Sequence, residues 1–560
     1  VTRTKRRRSA KGPAIAPVHG TPFRRAIPAL VIVLAGLLVY WNGLSSPFLF
    51  DDRNSIVENS RIRTLWPLSI PLSPPRDTPV AGRPVVNLSF ALNYAIGGLE
   101  VGGYHLFNLA VHLLAALTVF GVVRRTLLLP RLADRFGGAS TSIASACALV
   151  WMLHPLQTEA VNYLSHRTES MMGLFYLVTL YCSIRAAETG GRRRGAEKWR
   201  LGAIAACATG MACKESMVTA PLMVALYDRI FLFDSLKASL RARRGLYAAL
   251  AATWLVLAAL MASRPRTSVG FDAGPGSWVY LLNQFELIVQ YLRLTLWPHA
   301  LVLDYGLPRP LALKNVLPQA ALVVTLAVAV LVALVRRPPL GFLGAWFFMT
   351  LAPTTSIVPI ATEVGAERRM YLPLAAVAAL AAVGCHIATR GRRSWGIAAT
   401  TTVCALLAAG TMLRNGEYQS RLSIAETIVR RWPSGRAHYI LGVELLRAGR
   451  RSEAMAELRG SVPDYPEARY ALGTELFADG KLDAAINELR AFVEKVPLHP
   501  NIVRAHDQLG RAFLMQGRLD EALEQFNLVL AEPDYPLRSE VMSMVEEISA
   551  ARRGRLSTAS

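Results

Sequence analysis

The sequence predicts an all-α protein in two parts: a polytopic bundle of about eleven membrane-crossing helices, followed by a solenoid of short helix pairs. Three observations predict it. Hydrophobic residues make up 52% of the 560 and charged residues only 18%, with a mean hydropathy of +0.31; a soluble chain of this length would carry more charge and fewer long apolar runs. The Lys and Arg behind the net charge of +23 stand in short clusters between those runs, as they do in cytoplasmic loops. After Leu413 the charge rises and a repeat sets in.

Residues 1–25, with Arg6-Arg7-Arg8 and Arg24-Arg25, read as a disordered basic cytoplasmic tail. The apolar run 26–40 has no small-residue cleavage site after it, so it reads as an uncleaved first span with the N-terminus in the cytoplasm. Ten further runs follow, at 104–123, 142–153, 171–184, 201–212, 218–233, 246–262, 320–335, 342–360, 372–389 and 397–413. Several fall short of the roughly 20 residues that a span needs. The stretch 278–298 carries Asn283, Gln284, Glu286, Gln290 and Arg293. If it crossed, every later basic cluster would lie on the wrong side. It therefore reads as re-entrant or interfacial: a wall of a wet cavity, or an ordinary amphipathic helix.

In the last part Leu441-Gly442, Leu472-Gly473 and Leu509-Gly510 are each followed seven residues on by Gly449, Gly480 and Gly517. Ala454, Ala485 and Ala522 come next, and Pro466, Pro497 and Pro533 close the units. Small residues at these offsets let antiparallel helices cross closely, which is the tetratricopeptide pattern. The predicted domains are a membrane domain at 26–414, tetratricopeptide repeats at 415–536 with a degenerate leading unit, and a capping helix with a tail at 537–560. None of the six Cys forms a CxxC pair, so they read as small core residues and not as a disulfide or zinc framework. The basic residues are spread over loops, which speaks against nucleic-acid binding.

By this topology the outward loops hold the chemistry. The first carries Asp51-Asp52 and Arg83; the second His154, Glu159 and His166; the third Lys214-Glu215; the fourth Asp304-Tyr305; the fifth Glu363, Glu367, Arg368, Arg369 and Tyr371. Each has a plain structural reading beside the functional one. Asp52 could cap the next helix, Arg368, Arg369 and Arg83 could meet lipid headgroups, Lys214-Glu215 could be a neighbouring ion pair, and His154-Pro155 could simply end a helix. His105 and His112 have no third ligand nearby and read as packing. The Asp51-Asp52 pair could also hold a divalent ion such as Mg or Mn.

The blocks "FLFDDRNSIVENSRI", "GRPVVNLSFALNYAIGGLEVGGYHLFNLAVHLLAAL", "HPLQTEAVNYLSHRTESMMGLFYLVTLYC", "CKESMVTAPLMVALYDRIF" and "AERRMYLPLAA", with the C-terminal repeats, closely resemble the transmembrane and tetratricopeptide-repeat O-mannosyltransferase family. That family belongs to the GT-C membrane glycosyltransferases, and the resemblance runs from about Leu30 to Pro536. It implies a GT-C-like bundle, a polyprenyl-phosphate sugar donor carrying mannose, and a protein hydroxyl acceptor. It also implies a base in the first outward loop, Asp52 supported by Asp51 or the reverse. Arg368 and Arg369, then Lys214 and Arg83, are the expected phosphate ligands. Glu159, His154, Glu215 and Tyr371 are expected near sugar or acceptor. The Val1 start and the Arg- and Ala-rich composition point to a bacterial inner-membrane protein with its repeats on the outer face, where their groove would hold the acceptor. A non-catalytic membrane scaffold, or an enzyme acting on an envelope glycan or lipid, are the alternative readings.

Overall fold

A computed structural model describes residues 22–76, 78–189, 193–263, 270–271, 276–356 and 358–557. Most of the predicted basic tail lies outside them. The chain divides into two compact units, Val1–Arg421 and Leu422–Ser560.

The first unit is built from α1 (Pro22–Tyr40), α2 (Pro84–Gly97), α3 (Val101–Leu127), α4 (Pro130–Phe136), α5 (Ser140–Met152), α6 (Thr158–Asn162), α7 (Arg167–Glu188) and α8 (Arg193–Met211). It continues through α9 (Ala220–Tyr227), α10 (Leu236–Ser263), α11 (Ser277–Leu296), α12 (Leu313–Arg336), α13 (Pro338–Leu351), α14 (Pro373–Ala388) and α15 (Arg393–Glu417). Each of the eleven apolar runs overlaps one of these helices, although 342–360 continues well past the end of α13 and 218–233 past the end of α9. Among the described residues six are long and apolar enough to cross a membrane: Ala26–Gly43, Val101–Leu127, Leu164–Glu188, Leu236–Ser263, Leu313–Arg336 and Arg393–Glu417. The others fall short for visible reasons. α8 opens with charged residues, α9 is eight residues long, α13 and α14 are short, and α4–α5 bends by 56° into the α6 segment.

Close helix contact depends on missing side chains. A Cβ on Gly344 of α13 would lie 2.2 Å from Val330 Cγ2 of α12, and one on Gly173 of α7 would lie 2.5 Å from the Tyr371 ring. Small residues let membrane helices approach in this way, where burying apolar surface among lipid tails gains nothing. At the end of the bundle that carries the basic loops, Arg243 donates to both carboxylate oxygens of Asp228 at 2.6 Å and to Ser183. That fully paired charge ties α10 to α7 and to the segment that follows α9.

The stretch with the polar residues, α11, contacts the loops that carry the acids and bases along its whole length. Tyr280 donates to the Thr354 carbonyl at 3.1 Å and Gln284 to Val364 at 3.1 Å; Asn283 bonds the Arg309 backbone, and Ala366 N–H donates to Tyr291 at 2.8 Å. At its far end the Thr295 carbonyl meets His154 at 3.3 Å. Since both ends touch loops of one face, the helix runs along that face. Its exposed Trp278 and Trp297 suit a membrane interface.

In the second unit, α16 (Arg421–Arg431) stands as a single helix where the degenerate unit was expected. Three antiparallel pairs follow: α17 (Gly435–Arg447) with α18 (Arg451–Ser461), α19 (Ala468–Ala478) with α20 (Leu482–Lys495), and α21 (Ile502–Met515) with α22 (Leu519–Leu530). Gly449, Gly480 and Gly517 sit at φ +75, +70 and +73°, where a left-handed residue ends the first helix of each pair and its neighbours bond back to the last turn. Ala454, Ala485 and Ala522 are completely buried. The predicted cap is α23 (Arg538–Ser557), whose Val541 and Ile548 close the last core.

Candidate active site

The first outward loop is folded around its acidic pair. Asp52 is completely buried: its Oδ2 accepts from Leu49 N–H at 2.9 Å and its Oδ1 from Ser165 N–H at 2.6 Å. Burial pushes this carboxyl up to about 7, against the two N–H donors, which favour the charged form. Asp51 is exposed, and its own N–H donates to the Tyr163 hydroxyl at 2.9 Å. Phe50, just before the pair, has φ +21°, unusual for a residue with a side chain. The two neighbours therefore do different work, Asp52 fastening the first loop to the second and Asp51 facing solvent.

The second and fifth loops meet through a buried ion network. Glu159 Oε1 pairs with Arg368 Nη1 at 2.5 Å and lies 3.1 Å from His166 Nδ1, while Glu159 Oε2 accepts the Arg368 N–H at 2.8 Å. Arg368 also pairs with Glu363, which reaches on to Arg369 at 2.9 Å. Burial would raise the Glu363 carboxyl, but Arg368 and then Arg369 hold it well below the usual carboxylate range. Glu367 lacks so close a cation. Arg414 stands 4.0 Å away, and burial pushes the Glu367 carboxyl up to about 8 although Val302 N–H and the Tyr305 hydroxyl donate to it. The fourth loop is thus joined to the fifth.

The third loop corrects one expectation. Lys214 and Glu215 do not pair with each other: Lys214 pairs with Glu169 and Glu215 with Arg83 at 3.1 Å. Burial lowers the Lys214 ammonium below its ordinary value; Glu169 opposes this, and the charges of Arg83 and Arg368 add to it. Arg83, Lys214 and Arg368, from three loops, therefore share one electrostatic field. The Arg83 Nε is buried without a hydrogen-bond partner among the described residues. Tyr163 lies within electrostatic reach of both Asp51 and Arg368.

Three expected ligands are placed elsewhere. Arg369 is 4% exposed and spends its guanidinium on the Thr354, Val364 and Glu363 carbonyls and the Glu363 carboxylate, so it latches the fifth loop. The His154 Nδ1 accepts Leu156 N–H at 3.2 Å and caps the start of the short helix Pro155–Gln157, the preceding helix having ended at Met152. Tyr371 is wholly buried, its hydroxyl 3.0 Å from His112 Nδ1 and its carbonyl accepting from Trp151. His105 bonds the Ser46 carbonyl at 2.8 Å, so both histidines of α3 are packing residues.

Glu169 was not singled out from the sequence as a site residue. The available signal was a charged residue at the start of an apolar run, as in Glu169. At Asp51-Asp52 each Asp52 oxygen accepts one backbone N–H, and Asp51 is exposed. Among the described residues no cluster of three or more His, Cys, Asp and Glu has metal-binding geometry.

Residues 470–536 match the family model "Tetratricopeptide repeat". Over 291 residues the chain is 31% identical to "Protein O-mannosyl-transferase Tmtc2" of Drosophila melanogaster, a match covering 48% of this chain and 29% of that protein. Over 219 residues it is 33% identical to "Protein O-mannosyl-transferase TMTC2" of Homo sapiens, covering 38% of this chain and 25% of the relative. The chain is similar to TMTC-type proteins over part of its length. The matches span between a quarter and a third of the length of these two TMTC-type relatives. Among solved structures, the crystal structure of ArnT from Cupriavidus metallidurans bound to undecaprenyl phosphate is similar at a TM-score of 0.42 and 13% identity, covering 91% of this chain and 82% of that one.

Proposed function

We propose that this chain is a membrane glycosyltransferase that moves mannose from a polyprenyl-phosphate carrier to Ser or Thr hydroxyls of exported proteins, with a GT-C-like membrane unit. The observation that carries the reading is the meeting of Arg83, Lys214 and Arg368 in one field on the face where Asp51 stands exposed. The names of the TMTC-type homologues support the sugar and the acceptor.

Asp51, not the buried Asp52, is the base. A carboxylate suffices because the acceptor hydroxyl becomes acidic only as the glycosidic bond breaks, and its charge also favours a sugar carbon with oxocarbenium character. As the lipid phosphate departs its charge grows, and cations aimed there act more on the transition state than on the bound donor. Arg83 is best placed to take it, since its partner Glu215 is partly exposed and its Nε is unspent. Arg368 follows by exchanging Glu363, and Lys214 adds charge from beneath. Glu159 holds Arg368 in place. The repeats lie on the outer face of a bacterial inner membrane and hold the acceptor in their groove.

The test is transfer from radiolabelled polyprenyl-phosphate mannose to envelope proteins by purified chain in nanodiscs, with and without EDTA. Transfer is expected from wild type, unchanged by EDTA, and lost in Asp51→Asn. Transfer by Asp51→Asn at the wild-type rate sinks the base assignment. Label appearing only in glycans or glycolipids moves the acceptor, and no transfer to any acceptor leaves a scaffold. Normal glycosylation of every acceptor after deletion from Gly435 onward ends the recruitment role.

A further inference from the structure

Away from the loops that carry the acids and bases, the first unit has a half-open groove of about 390 Å³ between α3, α4, α7, α9, α13 and α14. Val119, Leu132, Leu180, Phe342, Ala379 and Val383 are among its walls. Apart from Arg135 at the rim, the side-chain polar atoms in those walls are spent on protein partners: the Thr126 and Tyr227 hydroxyls lie 2.8 Å apart, and the Trp346 Nε1 donates to the Leu372 carbonyl at 2.8 Å. A polar solute would find nothing to bond there. The space is also unfilled at one wall, for a Cβ added to Gly384 would meet no atom within 4 Å.

One lining residue is charged. Arg135 is exposed at the end of α4 and stacks on the Phe136 ring at 5.1 Å. Its basic neighbours are occupied: Arg125 pairs with Glu188, Arg131 with Asp234 and the Ile230 carbonyl, and Arg124 donates to Thr141. Among the described residues Arg135 has no ion pair. A dry apolar slot with one available guanidinium at its rim matches a ligand with a hydrocarbon chain and an anionic head. In a bilayer the abundant molecule of that kind is an anionic phospholipid.

We infer that this groove holds one acyl chain of an anionic phospholipid whose phosphate sits on Arg135, at the end of the bundle opposite the candidate active site. The end is set by the basic clusters: Arg124-Arg125, Arg336-Arg337 and Arg390 flank the helix ends that line it. The site is separate from the donor's, and it stands whether or not the chain transfers a sugar.

Native mass spectrometry of the full chain in mild detergent, titrated with phosphatidylglycerol or phosphatidylcholine, tests it. Wild type should retain one phosphatidylglycerol. Arg135→Gln should reduce its preference over phosphatidylcholine about fivefold, the weight of one basic residue at an anionic membrane surface. Gly384→Phe should remove the bound lipid while the thermal unfolding transition persists. In case that variant misfolds, a phosphatidylglycerol with a photoreactive acyl chain should label wild-type peptides from α3, α13 and α14. Unchanged retention by folded Gly384→Phe, equal binding of both lipids by wild type, or labelling confined to other helices would overturn the site. So would stoichiometric displacement of the lipid by polyprenyl phosphate, which would give the groove to the donor.

Discussion

Asp51 and Asp52 are chemically identical neighbours, and only their surroundings separate them. Removing the Asp52 carboxyl leaves the Leu49 and Ser165 N–H groups buried without acceptors, so Asp52→Ala should cost about 1–3 kcal/mol in thermal unfolding of the full chain. Asp51→Ala should unfold like wild type while losing about a hundredfold or more in transfer, the scale of general-base loss. A matching stability loss at both positions would count against the division of labour. The Asp52 carboxyl also carries a pH signature. Its folded value is raised from 3.8 to about 7, so the folded chain holds a proton that the unfolded chain has released. Its contribution to stability is therefore complete below about pH 4 and falls as pH rises through 7. Asp52→Asn should flatten that slope between about pH 4 and 7, and an unflattened slope would show that the carboxyl does not titrate there.

At the scale of elements, glycines decide how closely helices meet. Gly173 faces the Tyr371 ring so tightly that any Cβ would collide with it. Gly173→Val should therefore destabilise the membrane unit by about 1–3 kcal/mol, the usual cost of overpacking, with thermal unfolding in detergent as the readout. Gly517, at φ +73°, works differently, since nothing lies near a Cβ there. Gly517→Ala should cost about 1–2 kcal/mol through the backbone alone. The measurement is hydrogen exchange in the full chain, where α21 and α22 should exchange faster and α17 and α18 should not change.

At the scale of the whole molecule the question is which helices cross. α11 is long enough to do so, yet both its ends contact outward loops. In intact cells a membrane-impermeant thiol reagent should reach Trp278→Cys, Trp297→Cys and Asn54→Cys alike, and should miss Lys237→Cys. Protection of one Trp position and not the other would make α11 a span and reverse the sidedness of every later loop.

Much of this was legible in the sequence because it is written in local pattern. Apolar runs and the Leu-Gly, Gly, Ala, Pro spacing reflect the solvent around each segment and the backbone angle at each turn, so helix positions and the repeat could be read residue by residue. The crowding of acids and bases onto one face followed from that. Which of them are free was not legible. Asp52 and Asp51 are adjacent and alike, yet only Asp52 turns inward to bond a segment more than a hundred residues away; Arg368 and Arg369 are both spent, the first on Glu159 and Glu363 and the second largely on the fifth loop's own backbone. Lys214 likewise found Glu169 in place of its neighbour Glu215. Partner choice among buried charges depends on which groups the folded chain brings within a few ångströms, because an unpaired charge there is too costly to keep. That is a property of the tertiary structure alone.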